Sequence, residues 1–292
     1  MLTLRNFWIV PMRGVGQVLF QANGLSGALM LLGIAVGSPT AALLALAGNV
    51  LGNLAARVFR YPVADIERGL YGFNGTLVGI AVGVFFPLGW QAALLLVAGS
   101  VASSPIARIF ARCRIPGFTA PFILSTWLLL GIAALLWPAL RTSGGTAAID
   151  TAPEWLHALS QHFGAVMFEG RSLLTGALFL AGIAVNERRG ALYALWGALH
   201  PLGMAFFADD YAAFNAGLYG YNGVLCAIAL AGPSAWDFAR ATCAVLLSIA
   251  LQWSGMQAGI VTLTAPFVMA VWVVMAADRI FILTANSLRS SK

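Results

Sequence analysis

Residues 69 to 75, Gly-Leu-Tyr-Gly-Phe-Asn-Gly, return almost unchanged as residues 217 to 223, Gly-Leu-Tyr-Gly-Tyr-Asn-Gly, 148 positions later. Two further segments return at nearly the same distance. Phe118-Thr119-Ala120-Pro121-Phe122 recurs as Leu263-Thr264-Ala265-Pro266-Phe267, and Gly16-Gln17-Val18-Leu19-Phe20 as Gly164-Ala165-Val166-Met167-Phe168, at offsets of 145 and 148. Three matched segments at one spacing make the chain a duplicated unit, so whatever it folds into must be built twice from one plan.

Hydropathy says in which solvent the copies fold. Of the 292 residues 60% are hydrophobic and 9% charged, whereas soluble domains carry about 25% charged residues. Apolar runs over residues 24–37, 40–56, 69–86, 90–107, 119–138, 173–186, 190–207, 217–232, 236–255 and 261–278 read as membrane helices. Several are shorter than the about 20 residues that span a bilayer, which predicts tilted or broken helices. The opening stretch lacks the layout of a cleavable signal, so the first segment is expected to be retained.

The bases sort by side. With a cytoplasmic N-terminus, Arg5, Arg13, Arg57, Arg60, Arg68, Arg108, Arg112, Arg114, Arg188, Arg189, Arg240, Arg279, Arg289 and Lys292 fall inside, and Arg141 and Arg171 outside. That 14 to 2 division predicts both termini in the cytoplasm. Bases scattered this way form no single basic face, which argues against a nucleic-acid partner.

Each copy holds five crossings, an odd number, so the second must enter from the opposite side. Loop charges agree: Arg57, Arg60 and Arg68 precede the first repeated heptad, while Asp209 and Asp210 precede the second. The expected organisation is a first inverted repeat over 1–140, an extracytoplasmic linker rich in Thr, Ser and Gly over 141–161, and a second repeat over 162–292.

Ionisable groups are almost missing from the apolar runs, and pumps and ion carriers need them to hold or relay charge. A neutral solute moving downhill fits better. Pro121 and Pro266 each follow a Thr by two residues, which predicts helix interruptions with upstream carbonyls left free. The alternative is that Thr119 and Thr264 merely cap helices; their paired recurrence favours a pore role. The glycines of the repeated heptads suit close helix crossings on any reading. His157, His162 and His200 offer no metal-ligand spacing and read as structural or solvated. Cys113, Cys226 and Cys243 stand far apart and read as small apolar fillers, so no metal or cofactor is expected. Glu169 in apolar surroundings is conspicuous, because a buried carboxylate usually has a task. No nucleophile with its base is visible, which argues against an enzyme.

The segments GLYGFNGTLVGIAVG at 69–83 and GLYGYNGVLCAIAL at 217–230, with the paired TAPF elements, resemble the urea transporter family over nearly the whole chain. The resemblance implies an all-α polytopic membrane protein with two inverted repeats of five transmembrane helices, each with a re-entrant half-helix. It further implies a pore at the repeat interface in each protomer, and a homotrimer. Family pores place aromatic slots at an outer and an inner site, two threonines between them, and a ladder of half-helix oxygens along one edge. Carried over, Gln17 and Phe20 match the first half-helix, Val166 and Phe168 the second, Phe73 and Leu77 the first heptad, Tyr221 and Leu225 the second, and Thr119 and Thr264 the centre. One departure stands out. Where many relatives carry Gln or Glu opposite Gln17, this chain has Ala165, with Glu169 four residues later, and the second copy needs one extra residue to align Gly176 with Gly27. Glu169 is therefore expected to supply the absent oxygen only through a shifted half-helix.

The function these features imply is passive, channel-like passage of urea and small planar amides through a bacterial inner membrane, with lipids as the other partners. The alternative is a channel or secondary transporter for another small neutral solute, such as ammonia or short amides. Ammonium channels carry paired pore histidines and water channels two Asn-Pro-Ala repeats, and this sequence has neither.

Overall fold

A computed structural model describes residues 4–140, 150–170, 172–207 and 211–290, with side chains from Trp8 to Phe281. Arg141, the Gly144-Gly145 pair, Arg171, Asp209, Asp210 and Lys292 lie outside the described residues, as do the side chains of Arg5 and Arg289. All regular elements among the described residues are helical. Before residue 141 they are α1 (Leu4–Gln17), α2 (Gly24–Gly37), α3 (Pro39–Val58), α4 (Val63–Glu67), α5 (Gly72–Phe85), α6 (Trp90–Arg112) and α7 (Ala120–Leu136). After residue 149 they are α8 (Trp155–Gly164), α9 (Leu173–Asn186), α10 (Arg188–Leu199), α11 (Ala212–Asn215), α12 (Tyr221–Ala229), α13 (Ala235–Gln257) and α14 (Ala265–Ser290). Helix α8 begins inside the segment 141–161 that the sequence suggests is linker, and runs past its end.

Helices α3 and α6 are long and apolar enough to cross hydrocarbon alone, whereas α2, α5, α7 and α9 are apolar but shorter. A 14-residue helix such as α2 rises about 21 Å, less than the about 30 Å of a bilayer core. Helix starts carry their own caps. Asn23 accepts from the N–H groups of Leu25 (2.8 Å) and Ser26 (3.2 Å), Ser38 from Ala41 with Pro39 in the first turn, and Ser234 forms a capping box with Asp237. The apolar run 190–207 stops being α-helical at Leu199 and continues as a 3₁₀ turn over His200–Phe206, because Pro201 has no N–H to donate.

Within each copy one helix pair approaches to backbone contact. A Cβ on Gly48 of α3 would stand 2.1 Å from the Gly75 carbonyl of α5, and one on Gly75 would stand 2.2 Å from the Gly48 carbonyl. Gly197 of α10 meets the Gly223 carbonyl of α12 at 2.5 Å in the same sense. The glycines of the repeated heptads are therefore required by close approach. In the first copy Asn49 adds polar ties, donating to the Thr76 hydroxyl (2.8 Å) and the Pro11 carbonyl (3.2 Å). In the second, His162 donates from Nδ1 to the Ala198 carbonyl (2.7 Å). His162 is thus a buried structural residue and not a solvated one.

The two copies share one core, in which Leu19, Leu77, Phe122, Met167, Leu225 and Phe267 all belong to a single apolar cluster. Helix α2 packs on α9, with Thr175 donating to the Gly33 carbonyl (2.9 Å). Two tryptophans lock the copies reciprocally. Trp127 of α7 donates to the Val261 carbonyl (2.8 Å), and Trp272 of α14 donates to the Pro116 carbonyl (2.9 Å).

Gly75→Val is expected to lower the thermal midpoint of purified protein sharply, since overpacking against a carbonyl costs about 1–3 kcal/mol or more. Gly131→Ala, where a Cβ meets nothing within 4 Å, is expected to leave the midpoint unchanged or higher. Equal losses in both would show that the α3–α5 approach is not tight.

Candidate functional site

Four helix ends meet inside the core: the C-terminal turns of α1 and α8, and the N-termini of α7 and α14. The turn after α1 closes with Phe20 N–H on the Gln17 carbonyl (3.0 Å) and Gln21 N–H on the Gly16 carbonyl (2.9 Å). After α8 the same turn forms from Phe168 to Ala165 (3.1 Å) and Glu169 to Gly164 (3.0 Å). This closure puts Phe20 and Phe168 in the left-handed region at φ 64° and 59°, which costs about 1–2 kcal/mol for a residue with a Cβ. Ring contacts offset it. Phe20 packs edge-on against Phe118 (6.0 Å) and Phe267 (6.1 Å), and Phe168 against Phe122 (6.1 Å) and Phe85 (6.2 Å), at about 0.5–1.5 kcal/mol per pair. Each of these two rings thus lies on a Phe from the other copy.

Helices α7 and α14 begin at Ala120 and Ala265, so Pro121 and Pro266 occupy first turns instead of interrupting helices. That corrects the expectation of freed upstream carbonyls, because a first-turn N–H has no intrahelical partner to lose. The exposed donors of these buried helix starts are met from a distance. Asn74 of α5 accepts from Phe122 N–H (3.0 Å), and Asn222 of α12 accepts from Phe267 N–H (3.1 Å). The Thr119 side chain makes no capping bond. It is left to meet the Thr264 hydroxyl at 2.7 Å.

A cavity lies on each side of this threonine pair. The first, of about 280 Å³, is lined by Gln17, Phe20, Phe73, Phe118 and Thr119 among others. The second, of about 240 Å³, is lined by Val166, Phe168, Glu169, Tyr221, Leu263 and Thr264 among others. Thr119, which lines the first, and Thr264, which lines the second, are 2% and 3% exposed, so the hydrogen bond that joins them is buried. Leu77 and Leu225 are fully buried in the core and line neither cavity.

The oxygens differ between the cavities. Gln17 lines the first and donates its Nε2 to the Arg68 carbonyl (3.1 Å). Ala165 lines the second cavity at the matching point and has no side-chain oxygen. Glu169 lines that cavity without any shift of the half-helix: its turn matches that of Gln21, and the extra residue falls after it. Gln21 spends its amide on the Leu19 carbonyl (2.8 Å) and on Asn186 (2.8 Å). Glu169 is 3% exposed and sits against Gly37, where a Cβ would stand 1.7 Å from its carboxylate. Tyr221 donates its hydroxyl to the Leu263 carbonyl. Beside it, Gln252 accepts from Asn222 (3.1 Å) and Thr262 (2.8 Å).

Sequence reasoning passed over Phe118, Leu263, Asn74, Asn222 and Gln252. The signal for the asparagines was present, since each occupies the sixth position of a repeated heptad. Nothing local marked Gln252, whose partners are 10 and 30 residues away. Among the described residues no group of three or more His, Cys, Asp or Glu gathers as a metal would require, and the three cysteines are unbridged.

Residues 9–279 match the family described as "Urea transporter". The chain is similar to urea transporter 1 of Rattus norvegicus, 32% identical over 246 residues that cover 77% of this chain and 62% of the relative. It is similar at the same coverage to urea transporter 1 of Mus musculus (31% over 246 residues) and of Ovis aries (29% over 244 residues). The matched region therefore spans 62% of the length of these relatives. By this match over most of its length, and with an all-helical fold to carry it, the chain belongs to the urea transporter family, a family of integral membrane proteins.

Proposed function

We propose that the chain conducts urea passively, through a pore that runs from the first cavity to the second past Thr119 and Thr264. The observation that carries this reading is the hydroxyl pair, 2.7 Å apart, between two aromatic-lined cavities. Urea is flat and uncharged, with four N–H donors and one carbonyl, and each hydrogen bond lost to dehydration costs about 1–3 kcal/mol unless replaced. Gln17 and the threonine hydroxyls supply acceptors along the path, with Glu169 taking the place that Ala165 leaves empty. Phe20 and Phe73 on one side, and Phe168 and Tyr221 on the other, form slots that admit a planar solute. A hydroxyl both donates and accepts, so the threonine pair exchanges its mutual bond for bonds to the solute at small net cost. An ion at the same point loses its hydration and meets hydroxyls in place of a charged partner.

The surrounding architecture follows from the same reading. Two units of five membrane helices and one half-helix stand in opposite orientations, 1–140 and 162–292, with the pore at their interface. Both termini face the cytoplasm of a bacterial inner membrane, as the arginine distribution supports. Protomers form a homotrimer with one pore each, and lipid covers the remaining apolar surface.

Thr119→Val and Thr264→Val are each expected to lower urea flux into proteoliposomes about fivefold to tenfold, the value of about 1–1.4 kcal/mol at the barrier. Unchanged flux in both would remove the central site from the mechanism. Glu169→Gln is expected to retain at least about half the flux, because the amide keeps an acceptor oxygen; complete loss would show that the charge itself is required. Flux is expected to be the same with and without an imposed proton or sodium gradient, and dependence on either would overturn the passive reading.

A further inference from the structure

A third cavity, of about 170 Å³, lies beside the first and is lined by Arg114, Ile115, Pro116, Trp272, Met275, Ala276 and Arg279. Its two walls have clear origins. Trp272, Met275, Ala276 and Arg279 are spaced three, one and three residues apart on α14, which places them in one stripe. Arg114 follows α6 in the left-handed region at φ 56°, with its N–H on the Ala111 carbonyl (3.2 Å) and that of Ile115 on the Phe110 carbonyl (3.1 Å).

The internal copy shows what this turn ordinarily demands. After α13 the same pair of bonds forms from Gly259 to Met256 (3.0 Å) and from Ile260 to Gly255 (2.9 Å), with Gly259 at φ 67°. Glycine takes that conformation without strain. At the corresponding point the first copy holds an arginine, which lines a cavity together with a second arginine.

Among the described residues no carboxylate lines this cavity. Among the described residues the ion pairs are those of Arg240 with Asp237 and Asp278, so the nearest acid on α14 is already engaged. Two guanidinium groups on one concave surface repel each other and offer planar donors matched to phosphate oxygens. The Trp272 N–H is committed to the Pro116 carbonyl (2.9 Å), so its ring serves as an apolar wall. Exposed apolar side chains flank the site, Ile115 at 46% and Val273 at 55%, which suits an amphiphile better than a free ion.

We propose that the Arg114–Arg279 cavity binds the phosphodiester headgroup of an anionic lipid. The site also touches the permeation path. Ile115 lines both this cavity and the first one, and the segment from Arg114 leads directly to Phe118 and Thr119. A headgroup held here braces the turn that carries one threonine of the pair.

The test is the thermal midpoint of the purified full chain in detergent, titrated with short-chain phosphatidylglycerol, phosphatidylcholine of the same chain length, or inorganic phosphate. Phosphatidylglycerol is expected to raise the midpoint and the other two to leave it unchanged. Arg279→Gln is expected to raise the half-saturating phosphatidylglycerol concentration about tenfold, the value of one charge-assisted hydrogen bond. Arg114→Gly, which installs the residue of the internal copy, is expected to keep or raise the basal midpoint while losing the lipid response by a similar factor. A merely structural arginine would not split those two readouts. Wild-type response in Arg114→Gly and Arg279→Gln would overturn the site, and an equal response to inorganic phosphate would overturn the lipid as its occupant. No urea enters the measurement, so its failure leaves urea permeation untouched.

Discussion

Helix ends that stop inside an apolar fold leave N–H and C=O groups with no water to receive them, and each unmet group costs several kcal/mol in a membrane. This protein brings four such ends together, and its central architecture is the set of partners they require. The turns after α1 and α8 fold their last carbonyls back onto their own chain through Phe20 and Phe168. The starts of α7 and α14 borrow acceptors from Asn74 and Asn222 on neighbouring helices. With these groups met by others, Thr119 and Thr264 keep hydroxyls that bond to each other.

The copies share a backbone plan but differ in polar detail. Left-handed residues recur at Phe20 and Phe168, at Phe118 and Leu263, and at Gly69 and Gly217, because each pair occupies the same turn. Side chains have diverged around that skeleton. Asn49 ties the first copy together where His162 ties the second. Phe73 corresponds to Tyr221, whose hydroxyl is bound to the Leu263 carbonyl, and Gln17 to Ala165, in whose cavity Glu169 carries the side-chain oxygens. A duplicated chain can diverge this way because the close glycine crossings and the helix-end partners hold the frame, which frees cavity-lining positions to change.

For the proposed passage of urea the energy profile is shallow. The two cavities are largely apolar and aromatic, and among the described residues the carboxylates lining them are Asp65 in the first and Glu169 in the second. On the proposed reading, the neutral acceptors of Gln17, Thr119 and Thr264 bind an amide about as well as water does, so a solute is neither excluded nor held. That balance is what the proposed passive flux demands.

Most of the helices were legible in the amino-acid sequence, since apolar runs bounded by Gly, Pro and Arg mark them and a three-segment repeat shows that the plan is used twice. The repeat also singled out Thr119, Thr264 and the paired phenylalanines, because residues held at matching positions of both copies stand apart from ordinary apolar filler. Several matters were decided only in three dimensions. Pro121 and Pro266 begin helices where a broken helix was expected, Glu169 reaches the second cavity from the place of Gln21, and Leu77 and Leu225 lie behind the lining. The physical reason is range. Hydropathy and turn chemistry act within a few residues and survive in a linear reading, whereas a 2.7 Å bond between hydroxyls 145 residues apart exists only once packing has brought two distant helix starts to one point.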